Sequence, residues 1–241
     1  MAEAIVLLHG FGGTHRTWEG VVARLDGERY RPLAPDLRGH GAARDRRPIG
    51  FAECVGDVLA AAPERFVLCG YSMGGRIAQH VALAAPERVA RLVLVSTTAG
   101  IEDRDERARR RAADEALAAR IEAGTIEDFV ATWRDQPLFA GDPTRVAAAA
   151  LADQARNDPR ALAAVLRGLG TGAMEPLWDR LGRLRMPAVV LAGERDAKFV
   201  ALGRRLAAAL PRGRLEIVPG AGHSLHLEDA RSVVGAMTSD L

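Results

Sequence analysis

Short, nearly continuous apolar runs alternate along the chain with segments whose apolar residues recur every three or four positions. The runs cover residues 4–8, 30–34, 66–69, 91–95, 188–192 and 215–218. Stretches such as Ile5-Val6-Leu7-Leu8 and Val189-Val190-Leu191 have the unbroken hydrophobicity of strands covered on both faces. Helical patterns lie between them at 18–25, 51–61, 73–85 and 199–210, and a last helix covers 229–237. This alternation predicts an α/β fold: a mostly parallel sheet with crossover helices on both faces.

The alternation stops between Gly100 and Arg185. That stretch has no strand-like run and is rich in Ala, Arg, Glu and Leu, which predicts helices at 106–123, 126–133, 143–155 and 159–169. The expected division is one structural domain, with a core built from 1–100 and 186–241 and a helical lid from 101–185. An insertion at this point of such a fold can cap a site at the carboxyl ends of the strands.

The strongest chemical signal is Gly70-Tyr71-Ser72-Met73-Gly74, a G-x-S-x-G directly between a predicted strand and a predicted helix. That context is what a nucleophile elbow requires: the turn brings neighbouring backbone so close that only glycine fits beside the serine. The expected architecture is therefore an α/β-hydrolase fold, whose triad follows in the order serine, acid, histidine. Position selects Asp196, after the run at 188–192, and His223, in Gly222-His223 after the last run. Glu194 is the rival acid. His226 is the rival base, expected instead to pack in or near the last helix. A carboxylate at the acid position would orient the imidazole and stabilise its cation. His9-Gly10-Phe11-Gly12-Gly13 follows the first run, so the backbone N–H groups of Phe11 and Met73 are the expected oxyanion donors, with His9 holding the loop. The segment from Asp36 to Gly41 reads as a turn scaffold.

Composition narrows the function classes. The 241 residues suit one domain, and 48% hydrophobic with 27% charged is ordinary for a globular protein. A net charge of +2 gives no global argument for nucleic acid. No run approaches a membrane span and no segment resembles a leader, so the expectation is a cytoplasmic protein, a monomer or weak homo-oligomer. Cys54 and Cys69 sit in apolar contexts and read as reduced core residues. No spacing suggests a metal or a phosphate loop, so neither metal nor cofactor is expected. Lys198 is the single lysine among 33 basic residues, so arginine clusters carry weight only through position. One cluster is Arg104, Arg107, Arg109, Arg110 and Arg111, where Glu106–Arg110 and Arg110–Asp114 have i,i+4 spacing and could simply be a salt-bridged solvated face. Against that stands its place in the expected lid, with Arg76 one turn past the elbow.

A wider set of residues resembles one family. It comprises Gly70-Tyr71-Ser72-Met73-Gly74-Gly75-Arg76, Glu106-Arg107, Arg110-Arg111 with Asp114, Trp133 with Pro137-Leu138-Phe139, and Arg156-Asn157. Leu166-Arg167-Gly168, Gly170-Thr171-Gly172, Leu177-Trp178, Gly193-Glu194 with Asp196 and Lys198-Phe199, and Gly222-His223 with His226-Leu227-Glu228 complete it. Together these are similar to the 2-succinyl-6-hydroxy-2,4-cyclohexadiene-1-carboxylate synthases of menaquinone biosynthesis. The resemblance spans nearly the whole chain, and the insertion motifs are its family-specific part. It implies a lyase that eliminates pyruvate from 2-succinyl-5-enolpyruvyl-6-hydroxy-3-cyclohexene-1-carboxylate, with Ser72 as general base. By the same resemblance Arg76, Arg110 and Arg156 would meet substrate carboxylates, and Tyr71 and Trp133 would line the pocket. The implied partner is a small polycarboxylate. The competing readings are a carboxylesterase or carbon–carbon bond hydrolase of the same fold, whose pocket would be mostly apolar, and a non-catalytic binding protein, which would lack a triad member. Met1 stands eight residues before His9, so the two extra edge strands common in this fold are expected to be absent or reduced.

Overall fold

The computed structural model describes residues 2–239. Six strands form one sheet: β1 (Glu3–Leu8), β2 (Tyr30–Leu33), β3 (Phe66–Tyr71), β4 (Val89–Val95), β5 (Ala188–Gly193) and β6 (Gly213–Val218). Every neighbouring pair is parallel, and their order is β2-β1-β3-β4-β5-β6. Each apolar run of the sequence is a strand; five are longer than the run by one or two residues, and β2 is one residue shorter. The chain steps outward from β1 to β2 and then back to β3, so β1 and β3 flank the reversal of winding. Loops at the carboxyl ends of such a pair diverge and leave a crevice between them. The register Leu8↔Gly70 brings the loops after β1 and β3 side by side there.

Successive strand residues point to opposite faces, and each face has its own core. Val6, Leu8, Leu68, Leu92 and Val190 pack with Ile77 and Val81 of α3 (Met73–Ala84) and with Val58 of α2 (Phe51–Ala61). Ile5, Leu7, Val67, Val93 and Leu191 pack on the other face with Trp18 and Val233. Each such aliphatic side chain contributes about 1.5–3 kcal/mol on burial. The helix expected at 18–25 is instead a 3-10 turn, His15–Trp18, running into the short α1 (Glu19–Val22). Trp18 is fully buried there, and Gly20 with the Asp26-Gly27 turn cuts the helix short.

The insertion between β4 and β5 carries four helices: α4 (Arg104–Ala123), α5 (Ile126–Arg134), α6 (Thr144–Gln154) and α7 (Pro159–Leu169). Their boundaries follow from capping chemistry. Asp103 accepts from Glu106 N–H at 2.7 Å, Thr125 and Asp128 form a capping box, and Asp158 accepts from Ala161 N–H ahead of Pro159 at the first helical position. Ala118, Ile121, Phe129, Leu162 and Leu166 give the insertion a small core of its own. After β5 come α8 (Ala197–Ala209), the short α9 (Leu225–Glu228) and α10 (Ala230–Thr238). Among the described residues no helix is long and apolar enough to cross a membrane, and no group of three or more His, Cys, Asp or Glu is arranged to hold a metal ion.

Candidate active site

Ser72 stands between β3 and α3 with φ 51° and ψ −110°, a backbone conformation costly for a residue with a side chain. The surroundings hold it there. Its N–H donates to Val95 O at 2.9 Å, and its carbonyl accepts from Thr97 Oγ1 at 2.7 Å and Arg76 N–H at 3.2 Å. A methyl at Gly74 would lie 2.1 Å from Leu8 O, and one at Gly70 would lie 2.4 Å from Gly74 O. The two glycines are therefore required by close approach of backbone.

His223 follows β6 and is buried, its Nδ1 2.7 Å from Asp196 Oδ2. With Nδ1–H donated to the carboxylate, Nε2 is left as an acceptor. Asp196 does two jobs, because its Oδ1 also accepts Phe199 N–H at 3.2 Å and caps α8. The rival acid Glu194 is turned away to Gly220 N–H at 2.9 Å. The rival base His226 is buried in α9, with Nε2 2.6 Å from Thr17 Oγ1 and its ring 3.9 Å from that of Tyr71. Burial, then repulsion from His223, holds its pKa down at about 3.

The loop after β1 is pinned from several sides. His9 donates from Nδ1 to Gly10 O at 2.8 Å and accepts Leu37 N–H on Nε2 at 3.0 Å. His40 accepts Gly12 N–H at 3.2 Å, and burial foremost drives its pKa down to about 3. Both imidazoles are therefore neutral struts. Asp36 accepts from His15 and Ala42 N–H groups, as expected of a turn scaffold. From the insertion, Asp153 receives Thr14 N–H at 2.8 Å, and Asn157 Nδ2 donates to Gly12 O at 2.7 Å. Among the described residues no acceptor takes the N–H of Phe11, and Met73 is the first residue of α3, where the helix supplies none. Both N–H groups are therefore free, one next to Ser72 in the chain and one on the loop after β1, and both residues line a cavity with Ser72.

Ser72 and His223 open into a cavity of about 450 Å³ that also exposes Arg76, Arg110, Trp133 and Lys198. Arg76 is buried and donates to Leu169 O at 2.6 Å. Burial and then repulsion from Arg110 lower its pKa to about 10, so it stays charged at neutral pH. Arg110 is bound through Nε to Asp114 Oδ1 at 2.8 Å, not to Glu106. Asp114 bonds Arg110 while Arg76 rests on a backbone carbonyl, so two guanidiniums reach the cavity, an arrangement suited to a ligand carboxylate. Tyr71 packs against His223 and His226, and burial raises its phenol above the usual range. Trp133 packs on Phe11, their ring centroids 4.8 Å apart.

One expectation needs correction. Arg156 lies in the turn after α6, exposed and outside the cavity walls, while its neighbour Asn157 points inward. Of the five clustered arginines only Arg110 reaches the cavity. Arg104, Arg109 and Arg111 are exposed, and Arg107 turns to the carbonyl of Ile101 at 2.9 Å. A helix shows one face to its neighbour, so a dense run must send most of its members to water. The sequence reading missed Thr97, Asp153, Asn157 and Arg134. Asn157 stands in a quoted motif without a role assigned to it and Arg134 adjoins another, but neither position gives a side chain's direction.

A model of the alpha/beta hydrolase family matches residues 5–236. The chain is 36% identical to a Bacillus subtilis (strain 168) protein provisionally assigned as a 2-succinyl-6-hydroxy-2,4-cyclohexadiene-1-carboxylate synthase, covering 95% of this chain and 87% of that one. It is 32% identical to the synthase of that name from Salmonella agona (strain SL483), covering 100% and 94%. Among solved structures it resembles MenH from S. aureus, with a TM-score of 0.89 at 30% identity over 96% of this chain and 90% of that one. A hydrolase from Pseudomonas aeruginosa PA01 follows at TM-score 0.80 and 26% identity, covering 98% and 88%. The chain therefore belongs to the alpha/beta hydrolase family and, within it, to the 2-succinyl-6-hydroxy-2,4-cyclohexadiene-1-carboxylate synthases.

Proposed function

We propose that the chain is a lyase that eliminates pyruvate from 2-succinyl-5-enolpyruvyl-6-hydroxy-3-cyclohexene-1-carboxylate to give 2-succinyl-6-hydroxy-2,4-cyclohexadiene-1-carboxylate. The observation that carries this reading is Arg76 and Arg110 on the wall of the cavity that holds Ser72 and His223. A pocket for neutral esters has no use for two adjacent buried or half-buried cations, whereas a tricarboxylate does.

Ser72, His223 and Asp196 form the triad. Ser72 gives its hydroxyl proton to His223 Nε2 and takes the ring proton next to the succinyl carbonyl. The C–H electrons move onto the carbonyl oxygen, which faces the N–H groups of Phe11 and Met73. As the carbonyl re-forms, a double bond forms between C2 and C3 of the ring, the C3–C4 double bond shifts to C4–C5, the C5–O bond to the enolpyruvyl group breaks, and pyruvate leaves as its enolate. His223 returns its proton to that enolate, and Ser72 keeps the proton from carbon as its hydroxyl. Arg76 and Arg110 hold carboxylates throughout, and Tyr71 and Trp133 shape the pocket. Residues 101–185 act as its lid. The reaction as written needs no metal or cofactor, and its partner is a small polycarboxylate in the cytoplasm.

The test is incubation with the enolpyruvyl substrate, following pyruvate and diene formation together. One equivalent of each per turnover is expected. Hydrolysis of neutral esters with no pyruvate release would replace the lyase by an esterase. Arg110→Ala is expected to raise KM for the substrate about tenfold or more while changing neutral ester hydrolysis little, since a charge-assisted bond contributes about 1.5–3 kcal/mol. Equal losses on both would make Arg110 structural.

A further inference from the structure

The cavity has a second arm. A chamber of about 60 Å³ shares Phe11, Ser72, Trp133 and His223 with the larger one and continues to Tyr71, Ser224 and Arg134. Arg134 is the last residue of α5, and its side chain is 9% exposed. Its guanidinium lies 4.3 Å from the centroid of Phe139, and Nη2 donates to Asp142 Oδ2 at 2.6 Å. The same carboxylate oxygen accepts Ser224 Oγ at 2.8 Å, and Ser224 directly follows His223 in the chain. Asp142 thus fixes the plane of the guanidinium by one edge. Among the described residues no acceptor takes Nε or Nη1. A buried cation with an unspent donor edge on a cavity wall is a prepared place for an anion.

Size decides which anion. A chamber of about 60 Å³ takes a slim chain with a carboxylate end and excludes a substituted ring, which needs the chamber of about 450 Å³. On the reaction proposed above, on which this step rests, the reacting carbonyl sits between Phe11 and Met73 and carries two substituents. One is the ring with its enolpyruvyl group, and the other is a two-carbon tail ending in a carboxylate. The ring side faces Arg76 and Arg110. We infer that Arg134 binds the terminal carboxylate of the succinyl tail through its Nε and Nη1 edge, with Asp142 and Ser224 as the residues that orient it.

The experiment compares wild type, Arg134→Met and Arg134→Lys on the substrate and on an analogue whose tail carboxylate is a primary amide. In wild type the amide should raise KM about ten- to a hundredfold with kcat within a few-fold, the scale of a charge-assisted hydrogen bond. Arg134→Met should cause the same rise on the acid substrate and no further rise on the amide. Arg134→Lys should fall between, because a point charge replaces the planar fork. Equal losses on acid and amide would make Arg134 a strut between α5 and the turn at Asp142 and overturn the inference. So would a wild-type enzyme indifferent to the amide, an arm that needs no variant to fold. No pyruvate from wild type and the acid substrate would instead overturn the reaction itself, leaving a different signature.

Discussion

The amide of Asn157 donates to the carbonyl of Gly12 at 2.7 Å across 145 residues of sequence. Its Oδ1 accepts Gly41 N–H at 3.0 Å, so one buried side chain on the insertion joins the loop after β1 to the turn that follows β2. The loop it grips carries the N–H of Phe11. The insertion therefore holds the backbone of that loop as well as contributing Arg110 and Trp133 to the cavity wall.

Asn157→Ala leaves Gly12 O and Gly41 N–H without their partner and should destabilise the fold by about 1–3 kcal/mol. If the loop is a catalytic donor, kcat should fall about tenfold or more, since losing an oxyanion donor outright costs about 10²–10³. Denaturant unfolding and steady-state kinetics on the same preparations check this. A stability loss with unchanged kcat would separate the loop from catalysis.

Asp196→Asn probes the divided carboxylate. Asparagine caps a helix as well as aspartate does, so Phe199 N–H and the start of α8 should be kept and stability should change by no more than about 0.5 kcal/mol. The bond to His223 Nδ1 would lose its charge and permit the wrong tautomer, so kcat should drop about 10⁴-fold. A variant of full stability and near-full activity would remove Asp196 from the triad.

Acid should unfold the chain through its neutral histidines. His40 and His226 have pKa values lowered to about 3, chiefly by burial, against about 6.5 in an unfolded chain. Between those values the unfolded state binds more protons than the folded state, so stability falls as pH falls. Each group should remove about 2 kcal/mol between pH 6.5 and pH 5, at about 1.4 kcal/mol per pH unit. Urea unfolding at several pH values measures the slope, and His40→Gln should flatten it by about one proton. An unchanged slope in the variant would show that His40 is not buried neutral.

The sheet was legible because its central strands are buried on both faces, so that Val189-Val190-Leu191 could be little else. The elbow was legible because close backbone packing leaves glycine alone at Gly70 and Gly74. Chain order and strand ends then indicated Asp196 and His223, and the geometry brings them together at 2.7 Å. The insertion was harder. Its helices followed from composition and the absence of strand-like runs, but which face of α4 meets the core depends on docking that no local pattern encodes. Arg110 and Arg111 are neighbours with opposite fates, and so are Arg156 and Asn157. Arg134 becomes visible only once Asp142 and Ser224, 82 residues apart, share a hydrogen bond.

Arg76 and Arg110 place two cations on the cavity wall, where Asp114 bonds Arg110 and the buried guanidinium of Arg76 leans on a backbone carbonyl. An anion that enters restores local neutrality, so occupancy and folding become linked quantities. A carboxylate bound there would protect the folded chain against heat and denaturant.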